Sequence, residues 1–266
     1  MGERFGAASA GGYDRGFGHV SREFILALLR AARLAPGQRV LDVATGTGIA
    51  AEAAVEAVGP SGHVVATDLF PAMMEKARER LGQRPNVSLG IEDGQSLTLR
   101  DEGFDAVLCA MGLMLFPDPE RGLAEFRRVL RPGGWAAASV NTTPERAFAT
   151  RVDAVIGRHA PERAATAARY FSLGDAGRLC SLFAAAGFRE VETFTEVRRF
   201  PFSSFDAYFA PIEEGQGPTG QAFAALPAGV RGLVREEVRR QLEGGAGDAG
   251  GPVEVEVELL FGCGRR

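Results

Sequence analysis

Short apolar runs alternate with helix-like segments through the first half of the chain. Runs rich in Val, Leu, Ile and Ala predict five β-strands, over residues 39–43, 63–68, 87–91, 104–110 and 135–140. Segments with apolar residues three and four positions apart lie between them, over residues 49–58, 72–81 and 119–130. Because strands that alternate with helices form right-handed βαβ units, this order predicts a parallel sheet buried on both faces.

The segments on either side of this alternation have other patterns. Before it, Ser21 is predicted to cap an amphipathic helix, and the glycine-rich residues 1–20 indicate a mobile arm. After it, the pattern predicts helices over 144–171, 172–186 and 230–242, a strand over 189–200, and turns in the rest of 201–251. Residues 253–259 alternate strictly between apolar and acidic side chains, which predicts a final strand with one polar face.

The composition fits one large domain. The chain has 266 residues, of which 45% are hydrophobic and 24% are charged. We expect a single domain over 1–266, and the glycines at 244–251 predict a flexible linker inside it rather than a boundary. A net charge of −4 argues against a nucleic-acid partner, and the longest apolar run is too short to span a bilayer, so we expect no membrane partner.

The cysteines and histidines do not form a metal-binding pattern. Cys109, Cys180 and Cys263 are far apart, and none of the three histidines pairs with another at ligand spacing. We therefore expect no metal. Unpatterned cysteines and the lack of an apolar signal-peptide core predict a cytoplasmic location.

The stretch from Arg39 to Gly48, RVLDVATGTG, combines a strand, a tight turn and the start of a helix. Gly46 and Gly48 allow the backbone to approach a ligand closely, and the first N–H groups of the next helix point at the same place. A Gly-x-Gly pair by itself is also typical of an ordinary tight turn. The neighbouring strands therefore decide how this turn is interpreted.

Several of the other strands end in polar or small residues that suit a nucleotide-like ligand. Asp68 is the last residue of the second strand, and Asp93 and Gly94 follow the third strand. Cys109 lies at the end of the fourth strand. Because the carboxyl ends of parallel strands meet at one edge of a sheet, these groups are expected to lie beside Gly46. An acid at the second strand can accept both hydroxyls of a ribose, and the third-strand loop can pair with the amino group and ring of adenine.

Taken together, these pieces resemble the class I S-adenosylmethionine-dependent methyltransferases, in the small-molecule group that includes the ubiquinone-biosynthesis C-methyltransferases. The resemblance runs through roughly residues 13–200 and is carried by YDRGFGHVSR, VLDVATGTG, VVATDL, EDGQSL, FDAVLCAMGLMLFPD, FRRVLRPGGWAAAS and LCSLFAAAGFREVE. It implies an α/β, Rossmann-like, doubly wound seven-stranded sheet whose last strand is inserted antiparallel. A helical N-terminal arm (1–20), a cofactor-binding core (39–143) and cap insertions (144–171 and 201–251) complete the expected domain.

The resemblance also implies a set of cofactor-binding residues for S-adenosylmethionine. Asp42 would hold the glycine turn and its water contacts, and Asp68 would bind the ribose hydroxyls. The other implied contacts are Ala44, Gly46 and Gly48 along the methionine portion, Leu69 and Phe70 beside adenine, Asp93 and Gly94 on the adenine amino group and ring, the carbonyls of Cys109 and Ala110 on the α-amino group, and Tyr13 and Arg22 over the carboxylate end. Ala44 departs from the family pattern, since many relatives have glycine there.

Two other functions stay open at this point. The spacing Gly46-x-Gly48-x-x-Ala51 with Asp68 also fits a nicotinamide-dependent oxidoreductase, and the fold could serve a non-catalytic cofactor-binding protein. The acid Asp42 inside the turn and the Asp93-Gly94 loop favour the methyltransferase. We expect a small organic acceptor, bound between the arm, the helices after the fifth strand and the aromatic stretch at 200–223. Spacing marks no residue as catalytic, and the chain is expected to be a monomer or homodimer.

Overall fold

The computed structural model describes residues 7–243 and 251–266, with side chains from residue 10 onward except that of residue 15. Of the predicted segments, the first part of the arm (1–6) and most of the glycine linker (244–250) lie outside the described residues. A seven-stranded sheet forms the centre of the fold, with the strand order β3-β2-β1-β4-β5-β7-β6. The strands are β1 (Arg39–Val43), β2 (His63–Asp68), β3 (Val87–Ile91), β4 (Phe104–Ala110), β5 (Leu130–Asn141), β6 (Arg189–Phe202) and β7 (Val253–Arg265).

The sheet is parallel except for β7, which lies between β5 and β6 and runs antiparallel to both. This confirms the predicted seven strands and the inserted last strand. The register places Asp42 beside Ala66 and Leu108, so the ends of β1, β2 and β4 lie at one edge. The turns after these strands therefore face the same space.

Helices cover both faces of the sheet. They are α1 (Ala7–Tyr13), α2 (His19–Ala31), α3 (Ile49–Val58), α4 (Pro71–Leu81), α5 (Pro119–Val129), α6 (Thr150–His159), α7 (Ala164–Arg169), α8 (Ala176–Ala185), α9 (Phe205–Glu213), α10 (Gly217–Ala224) and α11 (Ala228–Glu243). A short π-helix, Asp14–Gly18, joins α1 to α2. None of the helices in the described part of the chain is both long and apolar enough to cross a membrane.

The side-chain alternation of the strands divides the core between the two faces. Val40 and Leu41 are both fully buried, but Val40 packs in the cluster with α2 and α3, and Leu41 packs in the cluster with α5 and α8. Capping residues fix the start of α5 and the end of α8. Asp118 caps α5 by accepting from the Arg121 N–H, and Gly187 follows α8 with a φ of +85°.

Several predicted boundaries or segments differ from the structure. Ser21 does not cap a helix, because α1, the π-helix and α2 run on without a break from Ala7. The helix predicted from residue 172 begins at Ala176, since the Asp175 carboxylate accepts from the Arg178 N–H and fixes the start there. Residues 201–251 also contain α9 and α10, which their irregular sequence pattern did not indicate.

Candidate functional site

A cavity of about 370 Å³ opens at the carboxyl ends of β1, β2 and β4, between these strands and the start of α2. The predicted site residues that line it are Tyr13, Ala44, Gly46, Asp68, Leu69, Phe70, Asp93, Gly94 and Ala110. The structure therefore brings together residues from five separate segments. Asp42, Gly48 and Cys109 are buried next to this wall without lining it, and Arg22 is exposed on α2.

The turn between β1 and α3 needs a left-handed backbone at several positions. Gly46 has a φ of +58° and Gly48 a φ of +87°, which glycine adopts without steric cost. Ala44 also has a left-handed backbone, with a φ of +56°. This conformation is strained for alanine but not for glycine. Its methyl group has space because residue 112 is glycine: a Cβ on Gly112 would lie 2.7 Å from the Ala44 Cβ.

Asp42 supports the turn from beneath. Its Oδ2 accepts a 2.6 Å hydrogen bond from the Thr45 hydroxyl. Its Oδ1 is buried and makes no hydrogen bond of standard geometry among the described residues, although the Ala51 N–H lies close enough to the carboxyl to lower its pKa. Burial raises the pKa of Asp42 to about 7, and the Thr45 hydrogen bond opposes that rise. A buried carboxylate oxygen with unused acceptor capacity suits a ligand or water that donates hydrogen bonds or carries positive charge.

Asp68 connects the end of β2 to the same turn. Its Oδ2 accepts from the Gly46 N–H at 2.8 Å, and its Oδ1 accepts from the Phe70 N–H at 2.9 Å. Burial raises the pKa of Asp68, and these backbone hydrogen bonds lower it. The Leu69 N–H also approaches this carboxylate, so three backbone groups use part of its roughly four acceptor positions and the remaining capacity is left for a ligand hydroxyl in the cavity.

The third-strand loop closes one end of the cavity. Asp93 is exposed, and its Oδ1 accepts from the Gln95 N–H at 2.9 Å, which folds the loop back on itself. Gly94 permits close packing, because a Cβ there would lie 2.5 Å from Phe116 and 2.8 Å from Val43. Leu69 is 50% exposed at the same end, where a flat ligand group could cover it.

The end of β4 forms the opposite wall. Ala110 lines the cavity, while Cys109 is fully buried between the sheet and α5, where burial raises the pKa of its thiol. The next residue, Met111, has a φ of +56°, and its N–H donates to the Ser139 hydroxyl oxygen at 3.2 Å. Ser139 and Met111 both line the cavity. Neither was among the predicted site residues, although both lie in stretches that carry the resemblance, FRRVLRPGGWAAAS and FDAVLCAMGLMLFPD.

The N-terminal helices are fastened to the glycine turn. The Thr47 hydroxyl donates to Asp14 Oδ1 at 2.6 Å, and Arg80 of α4 pairs with the other Asp14 oxygen. The Arg80 Nε also donates to the Thr47 carbonyl at 2.8 Å. These contacts hold Tyr13 over the cavity, where burial raises the pKa of its hydroxyl and Ser21 hydrogen-bonds to it. Neither Asp14 nor Arg80 was singled out from the sequence.

A second cavity of about 150 Å³ adjoins the first. Its wall comes from the N-terminal helices, the end of β5, the start of α6 and the start of α10. Six residues line both cavities: Tyr13, Ser21, Phe24, Met111, Leu115 and Leu259. Apart from a few hydroxyl and amide groups, its walls are aromatic and aliphatic, so it suits a compact apolar molecule.

The first cavity has the groups that S-adenosylmethionine requires. Asp68 has acceptor capacity left for a ligand hydroxyl, and Gly46 leaves open space, since a Cβ there would meet no atom within 4 Å. Asp42 does not line the cavity, but it places a carboxyl group behind its wall. The first turn of α3, with Ile49 and Ala50 in the wall, offers backbone N–H groups to a carboxylate. Within the described residues, no group of three or more His, Cys, Asp or Glu is arranged to hold a metal ion.

Comparisons with known proteins agree with this assignment. A family described as a methyltransferase domain matches residues 40–134. A ubiquinone/menaquinone biosynthesis C-methyltransferase from Bordetella avium is 42% identical over 104 residues, which cover 39% of this chain and 41% of that protein. A demethylmenaquinone methyltransferase from Clavibacter sepedonicus is 32% identical over 215 residues, covering 76% of this chain and 83% of that protein.

Two solved structures share the fold. One, from Bacillus halodurans, has a TM-score of 0.59 at 21% identity and covers 91% of this chain and 98% of its own. The other is a phosphoethanolamine N-methyltransferase from Haemonchus contortus with S-adenosylhomocysteine bound. It has a TM-score of 0.61 at 16% identity and covers 97% of this chain and 57% of its own.

Proposed function

The chain belongs to the class I S-adenosylmethionine-dependent methyltransferases, and from this premise we propose that it methylates a small organic acceptor bound in the second cavity. Family membership leaves no support for the nicotinamide-dependent oxidoreductase or for a protein that only binds the cofactor. The proposed methyl acceptor is an oxygen, nitrogen or carbon atom of that small molecule.

The observation that carries this proposal is that the two cavities are neighbours and share six lining residues. The larger one suits S-adenosylmethionine, and the smaller one adjoins it through Tyr13, Ser21, Phe24 and Met111. A volume of about 150 Å³ admits a molecule the size of one aromatic ring. A peptide or a nucleic acid would need an open groove, and nucleic acid would also need a basic face, so a small molecule is the better fit.

We propose roles for the residues of the first cavity. Asp68 accepts from the ribose hydroxyls, Asp93 from the adenine amino group, and the Gly94 N–H donates to the ring. The backbone of the turn, at Ala44, Gly46 and Gly48, lies alongside the methionine portion of the cofactor. The adenine ring lies between Leu69 and Phe70. The α-amino group donates to the backbone carbonyls of Cys109 and Ala110, and the carboxylate end lies toward Tyr13 and Arg22. Of the last two, Tyr13 is supported by its place in the cavity wall, whereas Arg22 is not part of it.

The reaction is a displacement in line at the methyl carbon, for which S-adenosylmethionine supplies a methyl group already activated by the positive charge on sulfur. The protein therefore contributes mainly alignment and the exclusion of water. Asp42, negatively charged above its pKa, favours the positive cofactor electrostatically. The aromatic side chains of Tyr13, Phe17 and Phe24 close the second cavity around the acceptor.

Transfer of an isotopically labelled methyl group tests the nature of the acceptor. The protein is incubated with methyl-labelled S-adenosylmethionine and either a small-metabolite extract or the protein and nucleic-acid fractions of the same lysate. We expect label in a low-mass product of the metabolite extract, and formation of S-adenosylhomocysteine only when that extract is present. Label that enters protein or nucleic acid alone would reject the small-molecule proposal.

A further inference from the structure

The walls of the second cavity restrict the charge of the acceptor. Among the side chains that the structure describes there, none is Asp, Glu, Lys, Arg or His. Burying an ion without an opposite charge costs several kcal/mol. None of the described side chains in this wall therefore offers an opposite charge to a carboxylate or phosphate, which favours a neutral acceptor.

One polar group in this wall has a fixed hydrogen-bonding direction. Thr219 of α10 is 3% exposed, and its hydroxyl donates to Oδ2 of Asp153 on α6 at 2.5 Å. Asp153 is itself only 2% exposed. Since a threonine hydroxyl has a single hydrogen, the Thr219 oxygen can only accept a further hydrogen bond while Asp153 holds that hydrogen.

Thr219 also lies away from the cofactor. It lines the second cavity but not the first, whereas Tyr13, Ser21 and Met111 line both. A group that binds Thr219 is therefore at the end of the acceptor that points away from the methyl donor. The contact recognises the acceptor and does not involve its reacting atom.

We propose that Thr219, oriented by Asp153, selects a neutral acceptor of about one ring in size that carries a hydroxyl or N–H group on the side opposite the methylated atom. This inference rests on the proposed function of the second cavity. Thr219 is a specificity-determining residue that touches the acceptor, and Asp153 is a positioning residue that acts through it. A site built to accept a hydrogen bond discriminates against an analogue that lacks the donor, because the buried oxygen is then left unpaired.

Binding of para-cresol, toluene and benzoate to the protein saturated with S-adenosylhomocysteine tests this selectivity. The three probes have the same ring, and they carry a hydroxyl donor, no polar group and a negative charge, respectively. We expect para-cresol to bind about tenfold more tightly than toluene, corresponding to about 1.4 kcal/mol, and benzoate to bind most weakly. Equal binding of para-cresol and toluene, or binding of benzoate as tight as that of para-cresol, would overturn the inference.

Variants at Thr219 test whether its hydroxyl group causes the preference for para-cresol over toluene. Thr219→Val keeps the shape but removes the hydroxyl, and it should bind para-cresol and toluene equally. Thr219→Ser keeps the hydroxyl and should retain the preference. If Thr219→Val does not fold, Thr219→Ala replaces it with the same expectation. A preference that persists without the hydroxyl would contradict the assignment.

A preliminary titration separates this inference from the proposed function. If the wild-type chain does not bind S-adenosylhomocysteine, the methyl-transfer proposal itself fails. If it binds S-adenosylhomocysteine but does not discriminate between the probes, only the role of Thr219 fails.

Discussion

The carboxylate of Asp68 lies across the glycine turn of a neighbouring strand, with its Oδ2 accepting a 2.8 Å hydrogen bond from the Gly46 N–H. Asp68, which we propose binds the ribose, thus also holds the glycine turn in place. We propose that this turn lies alongside the methionine portion of the cofactor. Its other oxygen accepts from the Phe70 N–H, beside the proposed adenine position. One side chain therefore joins the glycine turn to the start of α4.

Replacing Asp68 should weaken the cofactor site in two ways. Asp68→Ala removes the acceptor for the ribose hydroxyls and the one for the Gly46 N–H, and we expect a loss of about 1–3 kcal/mol in S-adenosylhomocysteine binding, measured by calorimetric titration. Asp68→Asn should be impaired as well, because the amide has only one accepting oxygen. The exposed acid Glu162 provides the control, and Glu162→Ala should bind normally. Unchanged affinity in a folded Asp68→Ala protein would exclude the ribose assignment.

The raised pKa of Asp42 predicts that the stability of the fold depends on pH. Its folded pKa of about 7 lies above the ordinary value of 3.8, so between these values the folded chain holds a proton that the unfolded chain has released. Stability should therefore fall as pH rises through this window, by at most about 1.4 kcal/mol per pH unit for this one group. The penalty is absent below the ordinary pKa and complete above the folded one.

Asp42→Asn should remove that contribution. Urea unfolding at several pH values, from about 4 to about 8, compares the two proteins without cofactor. We expect the difference in the free energy of unfolding to shift in favour of the Asp42→Asn variant as pH rises, since the variant has no carboxyl group to titrate at this position. Parallel stability curves for the two proteins would show that Asp42 keeps an ordinary pKa.

The N-terminal helices and the segment of α9 and α10, of which Pro218 and Thr219 line the second cavity, are predicted to act as a lid over it. Asp14 fastens the first of these segments to Thr47, and Phe17 packs on Phe148 with ring centroids 6.1 Å apart. Hydrogen exchange should show both segments gaining protection when S-adenosylhomocysteine binds. Asp14→Asn, which removes a charge from the pair with Arg80, should speed exchange over residues 7–18 but leave β4 unchanged. Equal protection with and without ligand would identify both segments as fixed structure.

The sequence predicted the sheet well because its strands are marked locally. The β1 run at 39–43 and the β2 run at 63–68 are apolar, end in Asp42-Val43 and Asp68, and are bounded by glycine or proline, so their limits were correct. The helices α9 and α10 were missed because Pro211 lies inside α9 and Gly217 and Pro218 begin α10. Their helical form depends on packing against α6 and α11 rather than on local propensity.

The sequence could predict those cavity residues that lie in a short motif at the end of a strand. Asp68, Ala44 and Gly46 lie in short motifs, and the structure places all three in the wall of the first cavity. The pair Asp153 and Thr219, by contrast, joins residues 66 positions apart, and the sequence contains no signal that brings them together. Contacts of this kind follow from the packing of whole helices, which local pattern does not specify.

The central claim, that the turn at Gly46 holds S-adenosylmethionine, is tested most directly by comparing two glycine variants. Gly46→Val places a side chain in the open space of the cavity, at a φ of +58°. Gly37→Val is the matched control, because Gly37 has a φ of +82° and similar backbone strain but lies in the loop before β1, outside the cavity.

Calorimetric titration with S-adenosylhomocysteine, and with NAD as the rival ligand, is carried out on both variants and on the wild type. We predict one S-adenosylhomocysteine bound per wild-type and Gly37→Val chain, none bound to Gly46→Val, and no NAD binding to any of them. Normal S-adenosylhomocysteine binding by Gly46→Val, or NAD binding by the wild type in its place, would contradict the account.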